Sequence, residues 1–169
     1  MIEIMEPTDF VVRLEFERGG YVLPEEARFM GRNVDFAMDM IEFKPLPVVQ
    51  VKQQYFCKPV LVNKGTTYEE FILIGNEQTP CFSVRKLKIS GRFTHKPGSF
   101  HVGIVAHGEG IIEAGTEYVR IKKGDKFVIP FKTREVTYIA SSELEIVLTF
   151  PPNAFKQRGQ RGPHLAKEG

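Results

Sequence analysis

Hydrophobic and polar residues alternate in short runs along most of the chain, and the alternation is clearest near its end. In residues 144–150 every second position is apolar, from Leu144 to Phe150. This period of two predicts a half-buried antiparallel strand. From residue 55 onward, nine such segments are separated by glycine, proline and serine turn signals, which predicts an all-β sandwich or barrel. The predicted segments are 55–62, 69–75, 81–90, 100–106, 110–115, 117–122, 125–130, 135–140 and 143–150.

The first residues follow a looser pattern. Residues 2–5 and 10–17 are predicted to be two extended segments, joined by the turn signal Pro7-Thr8-Asp9. Gly19-Gly20 is predicted to end the second segment. These two segments would present open strand edges, which predicts a homodimer.

One short helix is predicted in this N-terminal region. Asn33 precedes apolar residues at helical spacing, which predicts an N-cap and a helix over residues 34–42. Residues 44–51 are interrupted by prolines and are predicted to form an extended connector. The predicted organisation is therefore a strand pair, loop and helix over 1–50, a barrel over 51–152 and a flexible basic tail over 153–169.

Charge and cysteine content narrow the classes of function. The formal net charge is +2, and four of the basic residues lie in the last 17 residues with a single acid. The nearly neutral body predicts no nucleic-acid partner and no anionic membrane partner. Cys57 and Cys81 show no CxxC spacing, and the N-terminal segment lacks the apolar core of a signal peptide. We therefore expect a soluble, cytoplasmic protein.

Glycine turns within residues 98–132 provide the strongest local motif. A Gly-Glu-Gly turn at Gly108–Gly110 is followed by Gly124-Asp125 and then by Ile129-Pro130. This arrangement resembles the core of the cupin superfamily. The resemblance implies an all-β, cupin-like jelly-roll fold, as a β-barrel or sandwich, to which the residue pattern adds the one short helix near residues 34–42.

The metal motif of cupins is reduced in this sequence. Most cupins bind a metal through H-x-H-x3-E and a later histidine. Aligning the closing glycine with Gly108 places His95 at the first histidine, Pro97 at the second, His101 at the glutamate and Glu135 at the last histidine. The main interpretation is that no metal is bound. Two histidines and a carboxylate can still form an open metal site, so His95, His101 and Glu135 are the alternative ligands.

A second resemblance covers the N-terminal region. Residues 2–20 and 35–43 are similar to the segment that follows the last zinc-ligand histidine of type I mannose-6-phosphate isomerases. The resemblance to the final cupin domain of that family covers about Phe82 to Pro151, in the family's order. It implies interconversion of mannose 6-phosphate and fructose 6-phosphate through an enediol, with zinc polarising the substrate oxygens. The matching N-terminal residues are Ile2, Glu3, Thr8, Asp9, Val11, Val12 and Arg13.

The resemblance implies an active-site role for Arg13, which matches the arginine of the family's Val-Val-Arg segment. A guanidinium stays protonated and can stabilise an enediolate or hold a phosphate. Arg18 and Arg28 lie near the loop that carries basic phosphate-contacting groups in the family, and they are candidate substrate-binding residues. The alternative for Arg13 is an exposed strand arginine paired with Glu15.

The zinc that the family implies has no ligands in this sequence, because those ligands precede the Arg13 segment and no Gln-x-His pair is present. We therefore expect a fragment, one half of a split isomerase, or a non-catalytic relative that is inactive alone. Expected partners are a sugar phosphate and an isomerase chain that carries the N-terminal half. The alternatives are a non-catalytic cupin that binds a sugar or sugar phosphate, and a small metallocupin.

Overall fold

The computed structural model describes residues 2–5, 11–152 and 154. The chain divides into two compact units, Met1–Phe56 and Cys57–Gly169. The boundary predicted after residue 50 thus falls a few residues before the boundary of the structure. The predicted basic tail over 153–169 lies outside the described residues, apart from Ala154, and so does the predicted turn at Pro7-Thr8-Asp9.

The first unit contains a small hairpin in place of the predicted strand pair. Strands β1 (Glu17–Arg18) and β2 (Tyr21–Val22) are antiparallel, and Gly19-Gly20 joins them. Both glycines have positive φ, 59° and 85°, as a tight two-residue hairpin turn requires. As predicted, these glycines end a strand, but that strand covers only Glu17–Arg18 and the glycines also turn the chain into β2. The described residues of 2–5 and 11–16 form no strand.

Three helices follow: α1 (Glu25–Arg28), α2 (Val34–Asp39) and α3 (Val48–Tyr55). Helix α2 confirms the predicted helix, and the Asn33 side chain caps it by accepting a hydrogen bond of 3.0 Å from the Phe36 N–H. The prediction of an extended connector over 44–51 was wrong. Pro47 is the N-cap of α3, where the missing amide hydrogen costs no helical hydrogen bond. No helix in the described part of the chain has the length and apolar character needed to cross a membrane.

The second unit consists of ten strands. Each of the nine predicted segments overlaps one strand, although several boundaries differ by one or more residues. The short, polar strand β6 was not predicted. The strands are β3 (Val60–Lys64), β4 (Tyr68–Ile74), β5 (Ser83–Ile89), β6 (Arg92–His95), β7 (His101–His107), β8 (Glu109–Ala114), β9 (Glu117–Lys122), β10 (Lys126–Ile129), β11 (Val136–Ala140) and β12 (Leu144–Phe150).

These strands form two antiparallel sheets that confirm the predicted all-β sandwich. The large sheet has the order β10-β7-β12-β5-β4-β3, and the small sheet has the order β6-β11-β8-β9. Apolar side chains fill the space between them, because the strands alternate inward and outward residues. The core consists of Leu87, Ile89, Phe93, Val105, Ile112, Ile121, Ile129, Val136, Tyr138, Leu144, Ile146, Leu148 and Phe150.

The glycine motif has a direct steric reason. Gly108 has a φ of 76°, and a Cβ there would clash with the Glu143 backbone. A Cβ on Gly110 would clash with the Ile139 carbonyl. The two glycines therefore allow a close approach of neighbouring backbones at the start of β8.

Candidate functional site

A small polar pocket lies between the two sheets of the second unit. Its volume is about 190 Å³, and both sheets contribute to its walls. The large sheet supplies residues from β3, β4, β5 and β12, and the small sheet supplies β6. The lining residues are Asn63, Tyr68, Glu70, Arg85, Leu87, Phe93, Thr94, His95, Lys96, Pro97, Leu148 and Phe150.

An ion pair between Glu70 and Arg85 lies on the inner face of the large sheet. Arg85 Nη1 is 2.5 Å from Glu70 Oε1, and the two side chains are only 16% and 14% exposed. Cross-strand pairing places Glu70 opposite the core residue Leu87, and Arg85 opposite Leu148. An enclosed ion pair loses much of its Coulombic gain to desolvation, so it adds little to the free energy of unfolding. Stability is therefore a weak reason for placing this pair among core residues.

His95 faces the same pocket from the small sheet. Its ring stacks on Phe93 with 5.3 Å between the centroids. Its Nε2 is buried and has no hydrogen-bond partner among the described residues. Burial lowers the pKa of His95 below its usual value, and Glu70 opposes this shift while Arg85 adds to it. The neutral imidazole is therefore favoured, with a polar nitrogen available inside the pocket wall.

His101 lies deeper in the sandwich and is fully buried. Its Nδ1 is 3.4 Å from the Ser99 carbonyl oxygen, and its Nε2 is 3.3 Å from Tyr138 Oη. The Phe150 ring packs on it at 4.8 Å. Burial lowers the pKa of His101 to about 4. This histidine is thus a neutral core residue whose two ring nitrogens both have hydrogen-bond partners.

The structure brings together two of the three alternative metal ligands. The His95 and His101 rings are 5.9 Å apart between centroids. Glu135 is exposed and lines a different surface pocket, with Arg92 and Pro130. No group of three or more His, Cys, Asp or Glu side chains in the described ranges is arranged to hold a metal. These donors do not fit the zinc that the family implies, so we derive no catalytic step through a metal.

The candidate arginines lie in the first unit, and Arg13 and Arg28 are interlocked. The Arg13 N–H donates to the Arg28 carbonyl at 2.9 Å, and Arg13 Nη1 donates to the Ala27 carbonyl at 3.3 Å. In return, Arg28 Nε donates to the Arg13 carbonyl at 3.3 Å and its Nη2 donates to the Leu14 carbonyl at 2.8 Å. These bonds tie the segment around Arg13 to α1, which supplies the partners that a paired strand would have supplied.

Arg18 is exposed, and its Nη1 lies 3.5 Å from Glu15 Oε1. Glu15 thus pairs with Arg18, and not with Arg13 as the alternative interpretation of Arg13 required. At this exposure the pair contributes at most about 1 kcal/mol to the free energy of unfolding.

Glu70, Arg85 and Tyr138 were not predicted as site residues. A signal for Arg85 was nevertheless present in residues 83–89, where it alternates in phase with Leu87 and Ile89. A charged residue in register with an apolar face is expected to point inward. Pairing with Glu70, on another strand, is a tertiary relationship that this alternation does not reveal.

Comparisons with known proteins extend the description of the second unit. Residues 76–151 match the family model of the mannose-6-phosphate isomerase cupin domain. No curated protein matches the chain. Among solved structures, the mannose 6-phosphate isomerase of Bacillus subtilis is similar with a TM-score of 0.53 at 16% identity, over 69% of this chain and 33% of that chain.

Two ethanolamine utilization proteins are also similar. The putative EutQ protein of Salmonella typhimurium has a TM-score of 0.46 at 15% identity, over 50% of this chain and 69% of that chain. EutQ of Clostridium difficile has a TM-score of 0.47 at 14% identity, over 54% and 75%. The chain spans only a third of the length of the Bacillus subtilis isomerase, and identities this low show the fold alone. The second unit has the cupin fold, and residues 76–151 within it match the cupin domain of mannose-6-phosphate isomerases.

Proposed function

We propose that this chain is the C-terminal cupin part of a type I mannose-6-phosphate-isomerase-like enzyme that interconverts an aldose phosphate and a ketose phosphate through an enediol. The observation that carries the proposal is the family match over residues 76–151. The Val-Val-Arg segment ending at Arg13 precedes it in the order that the resemblance implies. In this proposal the zinc ligands come from another segment or another chain, so the chain is inactive by itself.

Arg13 is the residue that we assign to the substrate. Its backbone is fixed by the Arg28 side chain, and its guanidinium donates to the Ala27 carbonyl. Among the described residues this is its one side-chain hydrogen bond, so most of its five N–H donors are left for a substrate. An anchored guanidinium is suited to hold a phosphate or an enediolate oxygen.

The two other arginines take different parts. Arg28 donates to two backbone carbonyls and lies 4.7 Å from the Phe29 ring centroid, so we assign it to positioning Arg13. Arg18 is exposed on the hairpin and could approach a phosphate once its weak pair with Glu15 opens. Substrate contact by Arg18 is therefore compatible with the structure, whereas the Arg28 guanidinium is already bound to backbone carbonyls.

An isomerase assay tests this proposal. Mannose 6-phosphate is offered to the purified chain alone, and then to the chain mixed with the product of the neighbouring reading frame. We expect turnover only in the mixture. Arg13→Ala should lower kcat in the mixture about 100-fold or more, as for other lost transition-state donors, while Arg120→Ala on β9 serves as the control. Turnover by the chain alone would disprove the incomplete site, and an unaffected Arg13→Ala mixture would disprove the role of Arg13.

A second candidate function is ligand binding without catalysis. It is favoured by the enclosed Glu70–Arg85 pair and by the unpartnered Nε2 of His95, which together make a polar recess in an apolar core. The metallocupin alternative has less support, because Glu135 lines a different pocket from His95.

A further inference from the structure

We propose that the pocket between Glu70, Arg85 and His95 binds an uncharged, polyhydroxylated ligand no larger than a monosaccharide. The inference rests on the binding function of the sandwich and not on the isomerase assignment. It names the chemical class of the ligand and the residues that recognise it.

The ion pair determines the charge that a ligand meets inside the pocket, because Lys96, the other charged residue of the lining, is exposed to solvent. Glu70 and Arg85 neutralise each other on the inner face of the large sheet. An anion that bound Arg85 would compete with Glu70 and leave a carboxylate enclosed without its partner, which is costly. A hydroxyl group can donate to the carboxylate and accept from the guanidinium at once. Neighbouring hydroxyls therefore satisfy the pair without adding charge to the pocket.

His95 supplies a third polar contact from the opposite sheet. A buried nitrogen without a partner is unfavourable, and most such atoms in folded proteins are satisfied by protein, water or ligand. The neutral imidazole can either donate or accept at Nε2, depending on its tautomer. Glu70 and His95 line the same small pocket, so one small ligand can reach both. A ligand hydroxyl at Nε2 would satisfy this nitrogen.

The remaining walls set the size and shape of the ligand. Phe93, Leu148 and Phe150 line the pocket and offer apolar surface to the C–H groups of a ring. At about 190 Å³ the pocket is smaller than the roughly 300–1,000 Å³ typical of drug-sized ligands. Asn63 accepts a hydrogen bond of 3.3 Å from Tyr68 Oη beside the same pocket, so further polar atoms are present there. A pocket of this volume is matched to a ligand of about one sugar ring.

The alternative to ligand recognition is a purely structural ion pair, and the neighbouring strand position separates the two. Glu69 points to the outer face and pairs with Lys64 at 2.8 Å, so Glu69→Gln is a matched control for Glu70→Gln. The double substitution Glu70→Leu with Arg85→Met removes both charges together. Replacing an enclosed pair by apolar residues is often neutral or stabilising, so this variant is expected to fold.

Isothermal titration calorimetry on the full chain tests the inference, with D-mannose and myo-inositol as uncharged probes and citrate and inorganic phosphate as anionic probes. We expect saturable binding of at least one uncharged probe and none of the anions. Glu70→Gln and His95→Phe should each weaken binding tenfold or more, the double variant should abolish it, and Glu69→Gln should leave it unchanged. Circular dichroism confirms that each variant is folded.

Three results would overturn the inference: no binding of either uncharged probe at millimolar concentration, binding of anions alone, or binding that survives in the folded double variant. The isomerase assay reports on Arg13 and the calorimetry reports on Glu70 and His95. Failure of one proposal is therefore distinguishable from failure of the other.

Discussion

His101 and Tyr138 form a neutral hydrogen-bonded pair in the core of the sandwich. The Ser99 carbonyl 3.4 Å from His101 Nδ1 can only accept, so Nδ1 carries the proton and Nε2 accepts from the Tyr138 hydroxyl at 3.3 Å. Burial lowers the pKa of His101 to about 4 and raises the pKa of Tyr138, so both groups remain uncharged near neutral pH. The pair thus places two polar side chains in the core at low electrostatic cost.

Removing one partner should destabilise the fold. Tyr138→Phe keeps the ring but leaves His101 Nε2 buried without a donor, which we expect to lower the free energy of unfolding by about 1–3 kcal/mol. Tyr118, which is 70% exposed, provides the control, and Tyr118→Phe should change the free energy of unfolding by at most about 0.5 kcal/mol. Urea denaturation at pH 7 measures both. Equal effects of the two substitutions would contradict the hydrogen-bonded assignment.

Stability should fall as the solution is acidified, because His101 binds a proton more readily in the unfolded chain. Its pKa is about 4 in the fold against an ordinary value of 6.5, so between these values the unfolded state holds more protons. The contribution is fully present above pH 6.5 and is lost as the pH falls towards 4. It amounts to up to about 3 kcal/mol for a buried histidine.

Urea denaturation between pH 4 and pH 7 measures this loss. His101→Gln should flatten the pH dependence of the unfolding free energy by close to one proton. His95 also has a lowered pKa, mainly because of burial, and His95→Gln should remove a further part of the pH dependence. An unchanged slope in His101→Gln would show that this residue does not titrate as described.

The sheets were predictable because their signal is local. Alternation along residues 144–150 and turn glycines such as Gly108 depend on a few neighbouring residues, and nine strands followed from such patterns. Helix α3 was not predictable in this way. A proline usually interrupts a helix, but Pro47 precedes the first turn of α3, where a proline is tolerated. Strand β6 was missed because four residues with polar ends carry too little periodicity.

The candidate site was predictable only in part. Aligning the glycine motif predicted His95 and His101 as candidate ligands. The structure places their rings 5.9 Å apart between centroids. The Glu70–Arg85 pair depends on the register between β4 and β5. These two strands are joined by a loop, and their pairing contains a bulge. Register of this kind follows from the packing of the whole sheet. A charge in phase with an apolar face is the one sequence signal that would have indicated Arg85.

Gly103 should be intolerant of a larger side chain, because it pairs with Phe127 across β7 and β10 and a Cβ there would meet the Phe127 ring. We expect Gly103→Ala to lower the free energy of unfolding by about 1–3 kcal/mol through overpacking. Adding Phe127→Leu should restore most of that loss, since the smaller side chain makes room. Thermal denaturation of both single variants and the double variant measures the coupling, and purely additive effects would contradict a direct clash.

Metal retention tests the last alternative for the histidines. His95 and His101 face one interior region, but Glu135 is exposed and lines another pocket, so a third ligand is lacking among the described residues. Two imidazoles without further ligands make a weak zinc site, because structural and catalytic zinc sites use at least three protein ligands. We therefore expect dialysed protein to retain well under one zinc per chain by atomic emission, and His101→Ala to leave that value unchanged. One zinc per chain that is lost in both His101→Ala and Glu135→Ala would establish the small metallocupin instead, and it would require Glu135 to reorient towards the histidines.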